Sequence, residues 1–184
     1  MNADEILKTA AAIPSWTHEP ERVNLISLCQ NVPAGGLIVE IGTLYGGTTA
    51  VMALSRPDCR VIAVDEFSWN PIIGWKVGKT PLLERLSAIG VSNVEVRDQD
   101  SATVGRAWGP VPIDLLWVDG AHHYEAVLAD LENFGCHANV IALHDYGNPA
   151  WPDVKQAIEE FCRRHPEAKF VEVVDSVAVI EWRP

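Results

Sequence analysis

Apolar and polar positions along the chain follow two regimes. Up to about residue 34 the apolar residues recur at helical spacing. A segment over roughly residues 3–12 and a second from Glu19 to Gln30, with Pro20 in its first turn and Val23, Leu25, Ile26 and Leu28 on periodic positions, read as amphipathic helices. Residues 13–18 read as the loop between them. From Gly36 onward short apolar runs alternate with helical stretches: LIVEIG, TTAVMALS, RVIAVDE, PLLERLSAIG, NVEVRD, IDLLWVDG, YEAVLADLENF and NVIALHD, then a helix over about 152–164. The near-continuous apolar runs Leu37–Ile41, Val61–Val64 and Leu115–Val118 suit strands buried on both faces, as in a parallel sheet covered by helices on either side. Two final β-rich runs, Lys169–Val174 and Val177–Trp182, are separated only by Asp175 and Ser176, which permits an antiparallel hairpin and nothing else. The expected fold is a doubly wound α/β mixed sheet, five strands parallel and closed by a reversed edge pair, in one domain. Within it, residues 1–34 are N-terminal helices and 35–184 the core.

Composition narrows the partners. Lys and Arg number 14 against 25 Asp and Glu, a net charge of −11 that repels phosphate backbones and anionic membrane surfaces. Neither nucleic acid nor membrane is expected as a partner. The apolar runs are short and the first residues charged, so no spanning helix or signal peptide is expected, and a cytoplasmic location is. Cys29, Cys59, Cys136 and Cys162 are too widely spaced for a C-x-x-C site and read as buried, reduced thiols. The Gly/Pro-punctuated stretch from Trp69 to Pro81 reads as a lid loop carrying Trp69 and Trp75.

Ligands in an open parallel sheet bind beyond the carboxyl ends of the strands. Those ends carry Glu40 and Gly42, then Asp65, Asp100, Asp119, and His144 with Asp145. So many carboxylates exclude a phosphate crevice, since they repel phosphate without an intervening metal. The first loop, E-I-G-T-L-Y-G-G-T-T, permits a tight turn and close backbone approach, with Thr48 as a cap for the next helix. Thr43-Leu44 breaks the G-x-G-x-x-G spacing of a nicotinamide site. Asp65, about twenty residues on, is placed to accept both hydroxyls of a ribose, so a nucleoside without phosphate fits. Asp119 reads either as a site residue or as a helix cap. Of the adjacent His122 and His123 only one can face the site, and His144 reads either as a metal ligand or as a strand-end histidine bonded to backbone.

These residues carry a resemblance. E-I-G-T-x-x-G-G-T-T, V-D-E, D-x-D-S at Asp98–Ser101, D-G-A-H-H-Y-E-A-V-L-A-D-L and the later A-L-H-D-Y resemble the class I S-adenosylmethionine-dependent methyltransferases over about residues 37–161. The D-G-x-H-x-Y and H-D-Y pair is most similar to metal-dependent sugar O-methyltransferases of antibiotic pathways. The resemblance implies a Rossmann-like, cofactor-binding core. Glu40, Gly42, Thr43, Gly46 and Thr48 would lie around the methionine part, Asp65 with Glu66 on the ribose, and Asp100 with Ser101 at the adenine. Asp119 would border both cofactor and metal. It also implies Mg²⁺ or another divalent cation on Asp119 and Asp145, and His122 as the base. His144 stands where such relatives have a second acid, which tilts the site toward a transition metal. The implied reaction is methyl transfer to a hydroxyl of a small-molecule acceptor chosen by the loops over 13–18, 67–80 and 146–153. A homo-oligomer is compatible with this reading. The alternatives are a cofactor-binding module without turnover and another nucleoside-cofactor enzyme on the same scaffold.

Overall fold

The computed structural model describes residues 1–68, 74 and 77–182. Trp69 and Trp75, the aromatic residues of the expected lid, lie outside the described residues. Seven strands form one sheet in the order β3-β2-β1-β4-β5-β7-β6. They are β1 (Leu37–Ile41), β2 (Arg60–Asp65), β3 (Val94–Asp98), β4 (Ile113–Val118), β5 (Ala138–Leu143), β6 (Ala168–Val174) and β7 (Val177–Trp182). The helices are α1 (Ala3–Ala10), α2 (Glu19–Gln30), α3 (Gly47–Ser55), α4 (Lys79–Ala88), α5 (Ser101–Arg106), α6 (Tyr124–Phe134) and α7 (Pro152–Arg164). β1 to β5 pair in parallel. The chain winds outward from β1 to β3 and then returns to place β4 against the other side of β1. That reversal opens a crevice at the carboxyl ends of β1 and β4.

The two-residue period of the strands divides the core. Ile38, Val61, Ala63, Leu115 and Trp117 face Ile6, Leu25, Ile26, Met52, Leu82 and Leu86 of α1 to α4. Val39, Ile41, Ile62, Val64, Leu116 and Val118 face Leu131, Phe134, Ile158 and Phe161 of α6 and α7. Each such side chain withdrawn from water contributes about 1.5–3 kcal/mol, so both faces must be covered and the strands can hold polar groups only near their ends.

Four details differ from the sequence reading. α1 stops at Ala10, because the chain turns there and the Ile13 amide bonds the Ala10 carbonyl as Ile13 enters the core. Only β7 is reversed. It lies antiparallel between β5 and β6, so the edge strand β6 runs with the parallel set. A hairpin fixes its own strands as opposed, and only one of them can therefore oppose the sheet. Thr48 is not the cap of α3: that position belongs to Gly46 at φ 94°, a left-handed conformation that suits glycine. Finally, all four cysteines are free, but Cys136 is exposed and Cys162 only partly covered, while Cys29 and Cys59 are buried. No helix among the described residues is long and apolar enough to cross a membrane.

Glu40 is the exception to the apolar strand interior. It is fully buried in β1, and its carboxyl takes the hydroxyls of Thr48 and Thr49, which ties the first turn of α3 to the sheet. Burial pushes this carboxyl up from 4.5 to about 8. The folded protein therefore holds a proton there that the unfolded chain releases near pH 4.5, so this residue makes stability fall as pH rises from 4.5 to 8. Glu40→Gln keeps a donor and an acceptor for the two threonines and removes the proton. Urea unfolding across pH 4 to 9 is expected to show the variant gaining on the parent through that window and level above it. A pH-independent difference would mean that the carboxyl is already ionised in the fold.

Candidate active site

The turn after β1 is held from two sides. At Gly42, φ 83°, an added Cβ would fall on the Asp119 carbonyl, so the loops after β1 and β4 touch through bare backbone. From the other side Asp65, at the end of β2, reaches under the loop. Its Oδ2 accepts the amides of Thr43 (2.9 Å) and Leu44 (3.0 Å), and its Oδ1 accepts that of Phe67 (2.7 Å). The residue expected to receive a ribose thus spends most of its acceptor capacity on the protein. Glu66, the next carboxylate, is exposed and lines the same cleft.

That cleft has a volume of 470 Å³ and runs along the ends of β1, β2 and β4. Of the expected cofactor residues, Gly42, Thr43, Thr48, Asp65, Glu66, Asp100, Ser101 and Asp119 line it. Glu40 and Gly46 do not: the alternation of β1 turns Glu40 into the core, and Gly46 is taken up by the start of α3. The Thr48 hydroxyl is committed to Glu40. Asp100 caps α5, accepting the Thr103 amide at 3.0 Å, a role the sequence reading had not assigned to it.

Beside the cleft, β4 and β5 deliver a compact charged cluster. His122 Nε2 lies 2.9 Å from Asp145 Oδ2 and 3.7 Å from Asp119 Oδ1. His144 Nδ1 lies 3.3 Å from each of the same two oxygens. Asp145 reaches this position from a left-handed backbone, φ 61°, uncommon for a residue with a side chain and a strain that clusters at functional sites. The ring of His122 stacks on Trp151 at 4.7 Å. His123 occupies the N-cap position of α6 and is exposed, so His122 is the one that faces the cluster. Asp119 lies short of that cap and does not serve it.

The member that sequence reasoning missed is Glu21. It comes from the first turn of α2, is 1% exposed, and its Oε2 accepts the His144 Nε2 proton at 3.1 Å and the His18 amide at 2.6 Å. Its Oε1 takes the amide and hydroxyl of Ser176 in the β6–β7 turn. The His144 ring is therefore bonded to a side chain, and only its amide is bonded to backbone, at the Val118 carbonyl. Read along the chain, Glu21 is merely an acidic residue in a helix's first turn; its one signal was a carboxylate on a helix that otherwise faces the core.

The charges hold one another. Burial opposes ionisation of Glu21, yet His144, Ser176 and the His18 amide bring it down to about 2. Burial likewise opposes charge on His144, but Asp119, Asp145 and Glu21 hold it up at about 12. His122 is held at about 9 by Asp119 and Asp145, against the same penalty. Asp145 is buried too, and the two imidazoles with Asn148 keep it well below the ordinary carboxylate range.

Two buried nitrogens, His122 Nε2 and His144 Nδ1, sit close to carboxylate oxygens without hydrogen-bond alignment. They converge with those oxygens as ligands do. Asp119, His122 and Asp145 each offer an atom within 4.8 Å of the others, a spacing that fits a divalent cation. On the far side lies a second hollow of 350 Å³, lined by Glu21, His144, Asp145 and Asp175 among others, with Trp16 at the rim of both.

Residues 39–146, from β1 to the residue after Asp145, match the family model described as a methyltransferase domain. The chain belongs to this family. Its fold is that of the class I S-adenosylmethionine-dependent methyltransferases. Cofactor-bound Rv0187 from MTB has a TM-score of 0.72 and 20% identity, over 98% of this chain and 88% of that one. The O-methyltransferase NovP gives 0.70 and 15%, over 90% and 80%. An rRNA methylase from Streptococcus thermophilus gives 0.65 and 15%, over 92% of this chain and 100% of that one. A tRNA (guanine-N(7)-)-methyltransferase of a Nocardioides species is 33% identical over 82 residues, 44% of this chain, and the match spans 30% of that relative's length.

In this methyltransferase domain the contact between the loops after β1 and β4 shapes the crevice. Gly42→Ala would need a left-handed alanine where its methyl meets the Asp119 backbone. Thermal and urea unfolding are expected to show a loss of more than about 1 kcal/mol. Parental stability would mean that the two loops are not in contact.

Proposed function

We propose that this methyltransferase carries the methyl group of S-adenosylmethionine to a hydroxyl of a small-molecule acceptor. The observation that carries the reading is the partition between the two hollows. Asp119 and His122 line the larger, His144 and Asp145 the smaller. A donor in the first and an acceptor in the second would meet at the cluster. The acidic lining of the larger cleft suits the cationic sulfonium and amino groups of the donor. Gly42 and Thr43 would meet the methionine part, Asp65 through its held loop and Glu66 directly would border the ribose, and the N-terminal helices, residues 1–34, would complete the acceptor side of the 35–184 core.

In the reaction the acceptor oxygen attacks the methyl carbon, the carbon–sulfur bond breaks, and S-adenosylhomocysteine leaves as a neutral thioether. The hydroxyl proton passes to His122. Holding donor and acceptor in line is the larger part of the task, because the sulfonium is already a good leaving group. Trp151 fixes the plane of His122 by stacking, and the Asp145 carboxylate lies 2.9 Å from its Nε2.

A divalent cation fits Asp119, Asp145 and His144. Both His122 and His144 are near enough to ligate; His144 is assigned because Glu21 holds its other nitrogen, the carboxylate–histidine arrangement typical of metal ligands. His122, which lines the donor cleft, is then left for the proton. Bound there, the cation would lower the pKa of an acceptor hydroxyl and neutralise the carboxylates that hold His122 in its imidazolium form.

Methyltransferases of tRNA and rRNA stand among the similar proteins, but here the net charge is −11 and the second hollow carries Glu21, Asp145 and Asp175. Such a surface repels a phosphate backbone.

Two measurements test the reading. With a panel of hydroxylated acceptors, S-adenosylhomocysteine release is expected to fall about 10² to 10⁴-fold in His122→Asn, with cofactor affinity retained, and to persist in His123→Asn. An undiminished rate in His122→Asn would remove it as the base. For the cation, calorimetric titration is expected to show Mn²⁺ or Co²⁺ binding at least about tenfold tighter than Mg²⁺, as nitrogen ligation favours. Asp145→Asn is expected to abolish that binding. Equal affinities would take His144 out of the ligand set, and no binding of any of the three would leave the cluster as an ion-paired proton relay.

A further inference from the structure

The smaller hollow is graded along its length. At its inner end the side chains of His144 and Asp145 are 9% and 12% exposed and belong to the charged cluster. At its mouth those of His18 and Asp175 are 74% and 43% exposed. Glu21 lies between the two ends. Its Oε2 meets the His144 ring and the His18 amide, and its Oε1 meets Ser176, the residue after Asp175. A volume of 350 Å³ is enough for a compact ring that reaches from one end to the other.

Charge is balanced at one end and not at the other. Inside, the carboxylates of Asp145 and Glu21 are answered by the imidazoles of His122 and His144. At the mouth, Asp175 faces His18 at 3.1 Å, an ion pair so exposed that screening and side-chain freedom leave it worth little. Among the described residues no lysine or arginine lines the hollow. Lys155, over the Tyr146 ring at 5.6 Å, is not part of the lining. Trp16, half exposed at the rim and a member of neither core cluster, adds an aromatic ring, and aromatic faces attract cations.

We infer that the acceptor carries a protonated amine as well as its hydroxyl, and that Asp175 is the residue that selects for it. The inference deepens the reading of this hollow as the acceptor site and rests on it. The hydroxyl reaches the cluster at the inner end while the ammonium group lies against Asp175 at the mouth. An acceptor with a carboxylate or phosphate in the amine's place would meet like charge there, with only the exposed His18 to offset it. A protonated amine has no lone pair to give, so it cannot take the methyl group. Holding it as ammonium at the end remote from the cluster therefore selects oxygen over nitrogen as the nucleophile.

The test uses acceptors in matched series that differ chiefly in charge: glucosamine, glucose and glucuronate, and dopamine, catechol and protocatechuate. At neutral pH, kcat/KM for S-adenosylhomocysteine release is expected to be at least about tenfold higher for the amine than for the carboxylate of a series, with the neutral compound between them. The advantage is expected to lie in KM and to shrink as ionic strength rises from about 0.05 M to about 0.5 M. Asp175→Asn keeps a side chain suited to the left-handed backbone at that position, φ 54°. In that variant, its thermal midpoint confirming the fold, the preference for the amine is expected to fall severalfold and to lose its dependence on salt. A carboxylate used as well as its amine would overturn the inference and leave the hydroxyl-acceptor reading standing, as would an Asp175→Asn variant with the full preference. If no member of either series is turned over, the hydroxyl-acceptor reading falls and the inference with it.

Discussion

Parallel pairing obliges β1 to β5 to finish at one edge of the sheet, and the site is built from what happens there. With both faces covered by helices, the strand interiors admit almost nothing polar; Glu40, held by two threonine hydroxyls, is the exception. Chemistry is therefore pushed to the last residue of each strand or the first of each loop. The reversal between β3 and β4 parts two of those loops, while Gly42 and Asp119 keep them in backbone contact. Three of the backbone positions with positive φ and a side chain, Leu44, Phe67 and Asp145, lie just past β1, β2 and β5. The edge is thus where the fold concentrates both its acids and its strain.

The second level of organisation is electrostatic. Three carboxylates and two imidazoles, partly or wholly withdrawn from water, would each be prohibitive alone, and a buried pair that loses one partner typically costs about 3–5 kcal/mol. Here each is answered by another. Glu21 neutralises His144 from below, and Asp119 and Asp145 face both imidazoles from above. The group is poised: it is internally balanced, yet two of its nitrogens have no aligned partner, which leaves room for a ligand to enter.

What the sequence made legible follows from how local each feature is. The strands, the parallel core and the residues Asp119, His122 and Asp145 could be read because strand ends are visible as the point where an apolar run meets an acid. Asp65 was legible as a strand-end carboxylate, but not as the support of the loop after β1, because the groups it binds are backbone amides that no residue letter records. The placement of β7 between β5 and β6 escaped for a similar reason: a turn fixes the relation of two strands to each other and says nothing about which one the sheet will take. Glu21 was hidden by its distance along the chain from His144.

Glu21 joins parts of the chain that are far apart: 123 residues separate it from His144 and 155 from Ser176. Closing loops of that length is entropically expensive and slow compared with the strand–helix–strand units between them. On a ribosome α2 emerges early, but beyond the local His18 amide its carboxylate has no partner until β5 has been made and no complete set until the β6–β7 turn has followed. The complete cluster therefore depends on the β6–β7 turn as well as on the sheet that carries His144 and Asp145. A chain with its parallel core formed but without the β6–β7 turn has the carboxylates that face His144, yet lacks the Ser176 bonds that hold Glu21 in place.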